Sequence, residues 1–241
     1  MPQSIKMYKI DTYPDSFPIE SANVNPGFSS ATFKTTVKPL GKSEYSIIDL
    51  DKVQIEHQVS DKFDGKGIAE DGSIYDLVAV STIEVFPCFI KDKSFMYTSG
   101  TKRIVSEQAL RRLRRYPNVE NQLVATPVQI DLVEFKSNLE SSKEGLIKGG
   151  WFRGMQIENV EVAYLGGGTV TESSDWEKYE TSGGTISALR IDIPTSDEEE
   201  ELIKILLTKD GNCVIYKNFG ELDMLKISIP ILTIAENYII K

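Results

Sequence analysis

The sequence predicts an α+β protein with a β-rich N-terminal half and, in the C-terminal half, an antiparallel sheet with flanking helices. Three observations carry that expectation. Alternation of apolar and polar residues, as in Phe33, Thr35 and Val37, recurs through the first hundred positions and is the period of a half-buried strand. Around residues 106–116 and 126–142 the apolar residues instead recur at helical spacing. Lys209, Asp210, Gly211 and Asn212 lie between two apolar runs, which signals a tight hairpin turn.

Taken in order, residues 5–10 alternate as a first strand, a proline-containing stretch follows at 14–26, and 31–37 alternate again. Residues 46–57 offer one or two short strands, and the Gly- and Asp-rich stretch 61–73 reads as a loop. Residues 75–90, rich in Val, Ile, Phe and Leu, predict one long buried strand kinked at Pro87. Asp92 and Lys93 turn the chain into a strand at 94–98. A helix then runs from Ser106, a suitable N-cap, to Tyr116, where Pro117 stops it.

Thr126 and Pro127 read as the N-cap and first-turn proline of a second helix. Its apolar face is Val128, Leu132, Phe135 and Leu139, and it ends near Ser141 or Ser142. Beyond Gly149 and Gly150, residues 155–165 and 185–193 read as strands, 175–179 as a helical turn, and 202–207 and 213–217 as the arms of the hairpin. The apolar stretch 222–240 is ambiguous: Pro230 argues against one continuous helix, and the β-branched content permits a strand followed by a short helix. A boundary falls at 117–122, giving subdomains 1–118 and 119–241, the alternative being a single α+β domain.

Helix 106–116 also carries the main functional signal. Leu110, Leu113, Ala109 and Tyr116 share one arc, while Arg111, Arg112, Arg114 and Arg115 occupy the other. With Lys102 and Arg103 upstream and Glu107 the one acid, the window 102–115 has a charge of +5, which leaves −14 for the rest of a chain of net −9. An arginine face of this kind suits phosphate, since guanidinium groups make bidentate contacts and neutralised phosphates release counterions. The competing reading is a solvated face neutralised within the chain, by the acidic run Asp197, Glu198, Glu199, Glu200 and Glu201 or by a Glu107–Arg111 pair.

A second candidate is Trp151, Phe152 and Arg153 beside Gly149, Gly150 and Gly154, where an aromatic pair next to arginine could stack a flat ligand or anchor a strand in the core. No catalytic or metal-ligating constellation stands out. His57 is the single histidine, expected on a strand with its edge in solvent, and Cys88 and Cys213 lie in apolar strands as inert thiols. Asp131, Glu134 and Lys136 have the wrong spacing for a nuclease and suit a helix face. Asp61, Asp64, Glu70, Asp71 and Asp76 lack the pattern of a calcium loop, and Gly166, Gly167 and Gly168 lack that of a phosphate loop.

With no long apolar run, no membrane contact and a cytoplasmic location are expected. The functional expectation is a non-enzymatic accessory or subunit protein of a prokaryotic or viral system, without cofactor. It contacts DNA, RNA or an acidic partner through the arginine helix. The alternatives are a metal-dependent nuclease or phosphotransfer enzyme with carboxylates assembled by the fold, and a module for assembly with a protein partner or as a homo-oligomer.

Overall fold

The computed structural model describes residues 2–24, 32–116, 121–142, 145–194 and 202–240, with the backbone alone at 24, 61–64, 77–79 and 194. The chain is α+β, mostly antiparallel sheet with four α-helices among the described residues. It forms two compact units interleaved along the sequence. The first, here the hairpin unit, comprises Ile10–Ser43 and Asp49–Thr126; the second, the three-helix unit, comprises Met1–Lys9, Glu44–Ile48 and Pro127–Lys241.

In the hairpin unit, β2 (Ile19–Val24), β3 (Thr32–Lys42), β4 (Leu50–Ile68), β5 (Ile74–Lys91) and β6 (Phe95–Ser99) pair as antiparallel neighbours in chain order. Helix α1 (Arg103–Arg115) follows. Cross-strand register aligns Thr35 with His57, Val37 with Ile55, and Ile55 with Phe86 on one sheet face. All of these are buried, as are Val105, Ala109, Leu110 and Leu113 of α1. Core burial of each large apolar side chain contributes about 1.5–3 kcal/mol.

The stretch expected as a loop, 61–73, is instead the distal part of one long hairpin. β4 pairs with β5 from Leu50↔Lys91 to Ile68↔Ile74, and the chain reverses within residues 69–73, where the Ala69 N–H donates to the Ser73 carbonyl and the Gly72 N–H to the Ala69 carbonyl. The buried strand expected at 75–90 is buried only at its base: Ile83 and Val85 remain 59% and 52% exposed, and Ile74, Tyr75 and Val80 are exposed too. The reason is pairing length. β3 leaves β4 at Thr35↔His57 and β6 leaves β5 at Cys88↔Thr98, so the outer hairpin is a two-stranded ribbon. Helix α1 also starts earlier than expected: Lys102 is its N-cap, and Ser106 is internal and buried, its hydroxyl donating to the Arg103 carbonyl. Val105 joins Ala109 and Leu113 at i,i+4 spacing and extends the core face one turn upstream.

The three-helix unit has strand order β1-β12-β11-β10-β8-β9. These are β1 (Gln3–Thr12, which continues into the hairpin unit), β8 (Leu146–Ile157), β9 (Val160–Gly166), β10 (Thr185–Pro194), β11 (Leu202–Thr208) and β12 (Asn212–Ile215). Ile5, Phe152, Leu189, Ile191, Ile205, Leu207, Cys213 and Ile215 form its buried layer. Helices α2 (Leu132–Ser142), α3 (Ser174–Thr181) and α4 (Glu221–Ala235) add Phe135, Leu139, Trp176, Leu225, Ile229 and Leu232 to that core. The Gln3 side-chain amide ties β1 to the segment between β12 and α4: it donates to the Phe219 carbonyl at 2.8 Å and accepts from the Phe219 N–H at 2.9 Å.

Three expectations for this region are corrected. Val124–Pro127 is a strand, β7, and α2 begins after Asp131, whose carboxylate accepts from the N–H groups of Val133 and Glu134, the stronger cap. Residues 155–165 are not one strand but the end of β8, a turn at Glu158 and Asn159, and most of β9, with Asn159 in the left-handed region at φ 61°. Helix α4 runs unbroken through Pro230. Burial of Ile229, Ile231 and Leu232 around an exposed proline outweighs its cost of about 3 kcal/mol.

Candidate functional site

Adjacent arginines of α1 have opposite surroundings. The Arg112 guanidinium reaches into the sheet, where its Nη1 donates to the Lys34 and Gln58 carbonyls, each at 2.9 Å, and lies 3.2 Å from Thr35 Oγ1 and from His57 Nδ1. An arginine has only donors, so His57 Nδ1 is an acceptor, and the Thr35 hydroxyl donates to it at 2.7 Å. His57 is not at a solvent edge but 1% exposed. Burial, aided by the Arg112 charge, lowers its pKa to about 4. The Ser21 hydroxyl, donating to the carbonyls of Arg112 and Tyr116, ties the end of the helix to β2.

Arg112 is therefore part of the packing, and the cationic surface is smaller than the sequence suggests. Arg103 is also engaged: its Nε donates to Glu107 at 2.7 Å, so the expected Glu107–Arg111 pair is replaced by one a turn earlier. Lys102, Arg111, Arg114 and Arg115 are exposed, and among the described residues no carboxylate pairs with them. The run 197–201 lies outside the described residues, so the expected neutralisation by it lies there too. Arg112, Arg114 and Arg115 occupy the last turn, where the helix dipole favours cations.

The Trp151, Phe152 and Arg153 segment is split by the strand's alternation. Phe152 points into the core, edge-on to Trp176 at 4.8 Å and near Tyr179 at 5.5 Å, so it offers no stacking surface. Trp151 and Arg153 face the other way. Trp151 lies across from Tyr164 on β9, ring centroids 4.4 Å apart, and Arg153 is exposed across from Val162. The glycines of the segment have packing reasons. A Cβ on Gly150 would strike the Trp176 ring, and one on Gly149 or Gly166 would strike the Tyr164 ring.

Tyr164, invisible as a site from sequence, thus lies flat over two glycines; the alternation of Tyr164 with Gly166 was the available signal. Cys88 and Cys213 are buried, and burial pushes both thiols up. Among the described residues, no three His, Cys, Asp or Glu side chains gather as a metal site. None of the described helices is long and apolar enough to cross a membrane. An apolar groove of about 460 Å³ beside α4 is lined by Tyr45, Ile47, Ile227, Pro230 and Ile234, with Lys226 at its side. No family model matches the chain, and no curated protein is significantly similar to it.

Proposed function

We propose that the chain is a non-catalytic binding subunit of a prokaryotic or viral system, and that its β-rich N-terminal half presents α1 to nucleic acid. The supporting observation is the set of exposed Arg111, Arg114 and Arg115 near the C-terminal end of a helix seated by Arg112, with exposed Lys102 at its N-cap. Arg112 fixes the helix from behind, so its neighbours project from an ordered backbone and phosphate contacts incur little ordering cost. On this reading the C-terminal half, an antiparallel sheet with flanking helices, is a second module of the same subunit. The overall charge of −9 confines polyanion contact to local cationic surfaces and makes it steeply salt-dependent.

The test is binding of a labelled duplex and of a labelled single strand, measured by anisotropy across a salt series. The quadruple variant K102A/R111A/R114A/R115A keeps Arg112 and hence the fold. It is expected to lower affinity for both and to reduce the salt slope by up to about one per lost phosphate contact. Unchanged affinity and slope in that variant would overturn the proposal.

A further inference from the structure

The helices of the three-helix unit supply the core on one face of its sheet, and the opposite face has a composition unlike the rest of the chain. Register places Tyr164 of β9, Trp151 and Gly149 of β8, and Ala188 and Arg190 of β10 side by side on that face. Tyr164 lies flat on Gly149 and Gly166, with one ring face against backbone, and is 44% exposed. Trp151 borders it, half-buried. An aromatic ring laid flat on glycines offers a stacking plane that a ring standing upright from a strand does not.

Beside this plane are two buried polar atoms without hydrogen-bond partners. Arg190 donates through Nη2 to the Lys148 carbonyl at 2.8 Å, but its buried Nε has no acceptor. Asp192, two positions on along the same face and 8% exposed, has a buried Oδ1 with no donor. Buried polar atoms are rarely left unpaired, and one left so costs about 1–3 kcal/mol. The two together offer one donor and one acceptor, a complement to the hydrogen-bonding edge of a nucleobase. Along β8 to β11, this face carries Arg153, Arg190 and Lys204 against Asp192, the one carboxylate among its described residues. In a chain of net −9 it is a cationic island.

We propose that this face binds single-stranded nucleic acid, stacking an unpaired base on Tyr164 and Trp151, with Arg190 and Asp192 meeting its edge and Arg153 a flanking phosphate. Duplex DNA or RNA does not fit, because its bases are already stacked on one another. The site extends the nucleic-acid reading of α1 but stands on different residues in the other unit.

The experiment measures anisotropy of a labelled single strand of about 12 nucleotides and of the same strand in duplex. The wild type is compared with Trp151→Ala, Arg153→Ala and the quadruple α1 variant. The wild type is expected to prefer the single strand by about tenfold or more, and Trp151→Ala to remove that preference with a circular dichroism spectrum unchanged. A preference kept in Trp151→Ala and lost only in the α1 variant overturns this site; one lost in Trp151→Ala and kept in the α1 variant supports it, whatever that variant does to overall affinity.

Tryptophan fluorescence of the unmodified protein is an independent check should Trp151→Ala unfold. Trp151 is half-buried, whereas Trp176 is enclosed and hydrogen-bonded to Glu180. Saturable quenching by the single strand supports the proposal, and no quenching at concentrations where anisotropy shows binding overturns it.

Discussion

In the hairpin unit α1 is held to its sheet by a charged pin, Arg112, which meets two backbone carbonyls, a threonine and a neutral histidine. In the three-helix unit α3 is held by an aromatic wedge. Trp176 fills the space over Gly150, meets Phe152 edge-on, and is backed by Lys136 5.2 Å from its ring and by Glu180, which accepts its indole N–H at 2.9 Å. The polar pin is directional and sensitive to protonation, because each partner has one workable hydrogen-bonding state. The wedge is sensitive to volume, because close-packed interiors tolerate neither cavities nor extra atoms.

Breaking the wedge has the largest expected effect. Trp176→Ala is expected to destabilise by about 3–5 kcal/mol in urea melts, with little dependence on pH between neutrality and mild acid. Breaking the pin is next. Arg112→Ala leaves the Lys34 and Gln58 carbonyls without that donor and is expected to lower stability by about 2–4 kcal/mol. A loss under about 0.5 kcal/mol would show that water replaces the pin at no cost.

Acid sharpens the contrast further. His57 has a folded pKa of about 4 against an ordinary value of 6.5, so its contribution is complete above pH 6.5 and declines as pH falls through that window. The loss amounts to about 2–3 kcal/mol at pH 4, and His57→Gln should abolish this part of the pH dependence. The same melts followed through Trp176, in the other unit, are the control. Last comes Arg111→Ala, one residue from the pin, expected to change stability by less than about 0.5 kcal/mol while weakening polyanion binding.

The contrast also marks what could be read in the sequence. The hairpin around Gly211, the strand at 185–193 and the buried face of α2 were legible, because each is a local pattern of period or turn chemistry. The apolar arc of α1 was legible for the same reason, but the division among its arginines was not. Whether Arg112 is a surface cation or a pin depends on the carbonyls of Lys34 and Gln58, which reach it only through the sheet. His57 was misplaced at a solvent edge because helix α1, distant in sequence, covers its side of the strand. Trp151 and Phe152 carried equal weight as neighbours until alternation on β8 sent one into the core and the other out. No local signal marks the passage of the chain between units at residue 9 or at 44–48.

The paired hydrogen bonds between Gln3 and Phe219 join positions 216 apart in the chain. During synthesis on the ribosome, the three-helix unit therefore cannot complete its sheet until nearly all of the chain described has emerged, and its first strand waits unpaired with β12 meanwhile. The long β4–β5 hairpin needs only its own turn and can zip as soon as residue 91 is out. The long hairpin thus rests on pairing that is local in the chain, and the β1–β12 pairing on strands from opposite ends of the described sequence.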